Sequence, residues 1–190
     1  MICGVGINDF GKPVVVNGRM IKEYDLWKSM ITRCYSTHSH IRRHKYQNCT
    51  VSENFKSFLY FYNWCQIQKG FNNPGWQLDK DILLKGNNIY HEELCVFVPP
   101  EINSLLLKCD SSRGSYPIGV TFWSNKFIAQ CSTKKHGHVY LGSYLTSEEA
   151  FNAYKIYKES AIKECANEFK NLLDERVYVS LCNYYVSFHD

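Results

Sequence analysis

The sequence predicts an α+β fold, and three observations carry that expectation. Two stretches of the first half, residues 24–35 and 52–68, place apolar side chains at helical spacing. Three short β-prone segments follow at residues 118–123, 127–132 and 139–144, with turns at Asn125 and His136-Gly137. Thr146, with Glu149 three residues on, then forms a capping box that opens a helix to about Phe169. The expected architecture is a small helical and ββα region, then a three-stranded antiparallel sheet packed on one helix, then a helical tail. The boundaries expected are residues 1–110, 111–170 and 171–190.

Each element has its own reason. In the opening segment Asn8-Asp9-Phe10-Gly11 and Asn17-Gly18 flank the β-prone Val14-Val15-Val16. Leu26, Trp27, Met30, Ile31 and Cys34 form the buried stripe of the first helix. A polar, basic loop, Ser36 to Lys45, carries His38, His40, Arg42, Arg43 and His44. Ser52 caps the second helix, whose stripe is Phe55, Phe58, Leu59, Tyr62 and Cys65. Gly70 to Gly75 breaks the chain; Leu78 to Leu84 reads as a strand and Lys85-Gly86-Asn87-Asn88 as a turn. Pro99 and Pro100 precede a short helix bearing Ile102, Leu105 and Leu106, and Asp110 to Ser115 reads as a linker. The long helix buries Ala150, Ala153, Tyr154, Tyr157 and Ala161; Leu172, Leu173, Val177, Leu181, Tyr185 and Phe188 give the tail an apolar pattern.

The net charge of +4 over 190 residues is mild, but its placement is informative. Between residues 111 and 158, Arg113, Lys126, Lys134, Lys135, Lys155 and Lys158 face only Glu148 and Glu149, so this quarter holds the whole excess. Fourteen tyrosines and eleven phenylalanines suit either a core of large side chains or a surface that contacts bases. No signal segment or membrane-length apolar run is visible, so a cytoplasmic location with no membrane partner is expected. The nine cysteines include no Cys-x-x-Cys pair and are expected as reduced thiols. A Zn²⁺ site built from Cys3, Cys34, Cys49 and Cys95 is the less favoured alternative.

The segments "YPIGV", "KFIAQC" and "YLGSYLTSEEAFNAY" resemble the Apetala-type (ethylene-response-factor) DNA-binding domain over about 45 residues. Gly119-Val120, Phe127 and Ala129, Tyr140-Leu141-Gly142, Glu148-Glu149-Ala150 and Ala153-Tyr154 stand in the order of that family's elements. The resemblance implies a sheet that lies in the major groove of double-stranded DNA. Strand alternation then assigns Val120, Phe122, Ile128 and Leu141 to the helix, and Thr121, Trp123, Phe127, Ala129 and Cys131 to the opposite face. A one-residue change of register swaps the faces, which adds Gln130, Ser132 and Tyr140 as DNA candidates. Arg113, Lys126, Lys134 and Lys135 are expected near phosphates. The family's sheet carries arginines that read guanine; these strands have none, which favours shape reading or apolar contact.

The first half resembles phage-encoded HNH-like homing endonucleases, often fused to this same domain. "CGVGIND", "WKSMITRCYS", "YQNCTVSENFKSF", "LDKDILLKGNNIY", "CVFVPPEIN" and "RGSYPIGV" carry the likeness. The resemblance implies a histidine base beside groups that hold a divalent metal. Lys80 of Asp79-Lys80-Asp81 stands where the histidine is expected, Leu94 falls on the middle position, and only Asn103 is present. Three readings follow. One is a DNA-binding protein of this lineage, in a phage-infected host cell, with cleavage lost or weakened. Another is a metal-dependent nickase using Asp79, Asp81, His91 and Asn103, with Mg²⁺ held by Asp79 and Asp81. Glu93, close by, and His38, His40 or His44 from the basic loop are further substitutes for the missing groups. The third is a phage effector that binds a host defence protein through its aromatic surface.

Overall fold

A computed structural model of the chain describes residues 1–106, 115–188 and 190, and at Lys45 the backbone alone. The described chain is mixed helix and sheet and forms two compact units, Met1–Val98 and Pro99–Asp190. The division falls earlier than the expected residue 110. The helix after Pro99 packs against the long helix of the second unit.

In the first unit a hairpin, β1 (Val15–Val16) and β2 (Arg19–Met20), precedes helix α1 (Lys22–Tyr35). Trp27, Met30, Ile31 and Cys34 of α1 are buried, as the spacing predicts. The expected basic loop is instead ordered into α2 (Thr37–Arg42) and a 3₁₀ turn, η1 (His44–Tyr46). Ser36 allows this by ending α1 in an extended conformation and capping α2, its hydroxyl accepting from the Ser39 amide at 3.4 Å. Imidazole Nε2 of His40 meets the carbonyls of Arg33 and Cys34 at 3.1 and 3.0 Å, so this histidine caps α1.

The helix expected over 52–68 is two helices, α3 (Glu53–Lys56) and α4 (Phe58–Ile67), with Ser57 extended between them. The cause is the N-terminal segment, which inserts its backbone at the break. Ile7 donates to Lys56 O and accepts from Phe58 N, at 2.8 and 2.9 Å. Asp9 completes the joint by accepting from the Ser57 hydroxyl at 2.6 Å and the Leu59 amide at 2.8 Å. An aromatic core fills the space below, with Trp27, Phe55, Phe58 and Phe61 sealed from solvent and ring centroids 4.9–5.3 Å apart from Phe55 to Phe61 and Trp64, and from Trp27 to Phe58. The indoles of Trp27 and Trp64 find acceptors: Trp27 Nε1 donates to Phe55 O at 2.7 Å and Trp64 Nε1 to Glu92 O at 3.0 Å. Strand β3 (Thr50–Val51) pairs in parallel with β5 (Ile89–Tyr90), and β4 (Gln77–Asp79) pairs antiparallel with β6 (Val96–Val98). The strand expected over 78–84 stops at Asp79.

The second unit opens with α5 (Pro100–Leu105), in which Ile102 is buried. Apart from Ser115, the expected linker lies outside the described residues, and so does Arg113. Strands β7 (Val120–Trp123), β8 (Lys126–Thr133) and β9 (Gly137–Tyr144) form the expected antiparallel sheet in the order β7-β8-β9. Ser124 and Asn125, both at positive φ, make the two-residue turn between β7 and β8. Helix α6 (Ser147–Glu168) backs the sheet, and its capping box is formed: the Glu149 amide donates to Thr146 Oγ1 at 3.2 Å, and Glu149 Oε2 accepts from the Thr146 amide at 3.3 Å. The tail forms α7 (Glu175–Cys182), and beyond it Val186 and Phe188 return to the sheet-and-helix core.

Register corrects the expected faces. Val120 pairs with Ala129, Phe122 with Phe127, Cys131 with Val139, and Ala129 and Cys131 are buried with Ala150, Phe151 and Tyr154 of α6. Phe127, Ala129 and Cys131 therefore share the helix side, and Ile128 the opposite one. Val120 and Leu141 pack toward the helix as expected. Phe122 also lies on that side, half exposed, against Phe127 and Tyr116. A bulge between Ala129 and Gln130 lets Gly142 and Tyr140 oppose them in turn and leaves Leu141 unpaired.

Gly119 sits at φ +79°, and a Cβ there would come within 2.0 Å of the Tyr154 ring. Gly137 is also at positive φ, but open space surrounds it. Gly119→Ala is expected to destabilise the second unit by on the order of 3 kcal/mol, from backbone strain plus overpacking, and Gly137→Ala by only about 1 kcal/mol. Denaturant unfolding of the two variants checks the difference.

Candidate nucleic-acid interface

The face of the sheet turned away from α6 is laid out in rows by the strand register. Trp123 pairs with Lys126, Thr121 with Ile128, Ile128 with Ser143, Gln130 with Tyr140, and Ser132 with His138. Thr121, Trp123, Lys126, Gln130, Ser132 and Tyr140, all expected as DNA contacts, thus come together on one surface. Trp123 is 76% exposed and Tyr140 62%, which is high for side chains that usually seek burial. Ile128, His138 and Ser143 belong to the same face and were not among the expected contacts. Their signal was the register, which the β7–β8 turn at Ser124-Asn125 and the bulge at Leu141 determine. The Ser132 hydroxyl and His138 Nδ1 lie 3.1 Å apart and link β8 to β9 across this surface.

The electrostatics are one-sided but weak. No aspartate or glutamate occurs from residue 111 to 147, so the face meets no carboxylate from its own strands. Lys126 lies on it and Lys134 is exposed in the β8–β9 turn. Lys135 is placed differently from the expectation. Its ammonium pairs with Glu164 at 2.6 Å and with Glu168, both on α6, which draws it behind the sheet. The Lys135 ammonium is held above its ordinary range first by the hydrogen bond to Glu164 and then by that to Glu168. His136, next in the turn, contacts the Tyr157 hydroxyl at 3.1 Å through Nδ1.

The residues of the expected nuclease frame are separately engaged. Asp79 ends β4 by turning its carboxylate onto its own backbone: Oδ1 accepts from the amides of Asp81 and Ile82 at 2.7 and 2.9 Å. That turn is why the strand stops there. Lys80 is buried, its ammonium bonded to the Asp81 carboxylate and to the Asn87 carbonyl. Asn87 replies through Nδ2, which donates to Lys80 O and Ile89 O, each at 2.7 Å. The position at which the family's base is expected thus clasps the loop between β4 and β5. His91 Nδ1 accepts from the Glu93 amide at 3.2 Å, and Asn103 belongs to α5 of the other unit. His38 is exposed, while His40 is the cap of α1.

Among the described residues no three His, Cys, Asp or Glu side chains gather as metal ligands. Cys34, Cys49 and Cys95 are buried and Cys3 is exposed. Burial, with Cys49 adding to it, pushes the Cys34 thiol up to about 12. No described helix is long and apolar enough to cross a membrane. No protein-family model, curated protein or solved structure matches this chain.

The Asp79 carboxyl is raised above its ordinary 3.8 by burial, which outweighs its two amide donors. Such a group favours the folded state most below its unfolded value, and this contribution is lost as pH rises through the folded one. Asp79→Asn keeps the Oδ1 acceptor and sheds the buried charge. Its stability relative to wild type is expected to rise as the pH is raised above about 4, the ordinary carboxyl value, whereas Asp79→Ala is less stable than wild type by about 1 kcal/mol at pH 7. Urea unfolding across that pH range distinguishes a turn-forming aspartate from one that is free for a ligand.

Proposed function

We propose that this chain is a double-stranded DNA-binding protein of the phage homing-endonuclease lineage, reading DNA with the open face of its three-stranded sheet, its cleavage frame depleted. The observation that carries the reading is the pair of exposed aromatics, Trp123 and Tyr140, on a sheet face bordered by Lys126 and Lys134 and free of strand carboxylates. A major groove about 12 Å wide admits a sheet of this kind. With no arginine on its strands, the face lacks the planar guanidinium fork that matches guanine most specifically. Trp123, Tyr140 and Ile128 supply apolar contact with thymine methyls, Gln130 an amide able to pair with adenine, and the lysines phosphate contact. The depletion of cleavage is supported by Lys80 and Leu94 at two expected positions, and by the use of Asp79 and Asp81 in the loop clasp.

Gel-shift titration of duplex DNA over a salt series tests the binding. Trp123→Ala with Tyr140→Ala is expected to weaken binding about 10- to 100-fold, at roughly 1–3 kcal/mol for lost base contacts, with the salt slope little changed. Lys126→Ala with Lys134→Ala lowers the slope, and Lys135→Ala alone leaves it unchanged. No binding by wild type at low salt overturns the reading. Plasmid incubated with the protein and Mg²⁺ or Mn²⁺ is expected to stay supercoiled; nicking that Asp81→Asn abolishes restores the nickase reading.

A further inference from the structure

The first unit holds a second feature suited to an anion. Along the seam where α2 packs on α1 lies an open cavity of about 330 Å³. Its wall on α1 includes Lys28, Ser29, Thr32 and Arg33; Ser39 and Arg42 line it from α2, and Arg43 from just past the end of that helix. Four cations thus face one carboxylate, that of Asp25. Lys28, Arg42 and Arg43 are exposed, and among the described residues none of them is paired with a carboxylate. Arg33 is held in place: its Nε donates to Ser29 O at 3.2 Å, and its guanidinium lies over the rings of Tyr46 and Tyr90 at 5.6 and 5.7 Å. The hydroxyls of Ser29, Thr32, Ser36 and Ser39 add neutral donors between the charges.

We infer that this cavity is a phosphodiester site: it takes a backbone phosphate of duplex DNA, apart from the contacts made by the sheet. The inference rests on the DNA-binding reading and adds a second, sequence-independent contact to it. Guanidinium groups match phosphate oxygens with paired N–H donors, and hydroxyls complete the oxygen's hydrogen bonds. The cavity is open along one side, which suits a phosphate that continues into a polymer. The order α1, Ser36, α2 produces the site, since Ser36 turns the chain so that two short basic faces meet.

The test is the dependence of duplex affinity on salt, measured by fluorescence anisotropy on the full chain. Lys28→Ala, Arg42→Ala and Arg43→Ala together are expected to lower the salt slope by about 1 to 2 and to weaken binding about 10-fold or more at about 0.1 M salt. Arg42→Lys with Arg43→Lys should keep the slope and lose part of the affinity. A control triple of exposed lysines elsewhere, Lys12→Ala, Lys69→Ala and Lys163→Ala, should leave the slope near wild type. An unchanged slope in the cavity variant, with wild type still binding DNA, overturns this site and leaves the sheet reading standing. An equal fall in the control triple also overturns it, by assigning the effect to overall charge. Inorganic phosphate, titrated at constant ionic strength and followed through the Ser29 and Ser39 amide resonances, separates the other source. Saturation by phosphate without a change of DNA slope reassigns the cavity to free anion. Failure of wild type to bind duplex at all defeats both proposals together.

Discussion

The close approach of β7 and β8 to α6 governs the second unit. Ala129 is sealed against the helix, Val120 and Cys131 lie beside it, and Gly119 leaves no room for a side chain next to Tyr154. Only small residues fit at Gly119 and Ala129, so the strands cannot shift by one residue without driving larger side chains into the ring. Once that register is set, every other sheet position follows. Thr121, Trp123, Lys126, Ile128, Gln130, Ser132 and Tyr140 must face away from the helix. The surface proposed to meet DNA is therefore a consequence of packing on the opposite side.

In the first unit the organising choice is different. Aromatic burial fixes the helices, and polar side chains fix the loops and joints between them. Lys80, Asp81 and Asn87 close one loop; Asp9 and Ser57 join the N-terminal segment to the break between two helices. A buried ammonium costs several kcal/mol unless its donors are satisfied, and here a carboxylate and a carbonyl satisfy them. The same side chain cannot at once hold this loop and accept a proton from water.

Much of this was legible in the residues, and the failures have physical causes. The helix at residues 24–35, the three strands and the capping box at Thr146 were legible because periodicity and caps are local signals. The break at Ser57 was not, because it depends on Ile7 and Asp9, some fifty residues away in the chain. The order in Ser36 to Lys45 was hidden by polarity: α2 buries no residue and is held by Ser36 and His40 instead of an apolar stripe. The sheet faces were legible only up to a choice of two, since alternation gives the period but not the phase. Lys135 counted as a basic residue near a hairpin, but its partners, Glu164 and Glu168, come from a helix turn that no strand pattern displays.

Amide chemical-shift mapping of the full chain during titration with duplex DNA addresses the central claim most directly. The account predicts that the largest changes fall on Thr121, Trp123, Lys126, Ile128, Gln130 and Tyr140, with α6 nearly silent. Changes concentrated on the solvent side of α6, with the outer sheet face unmoved, would contradict it.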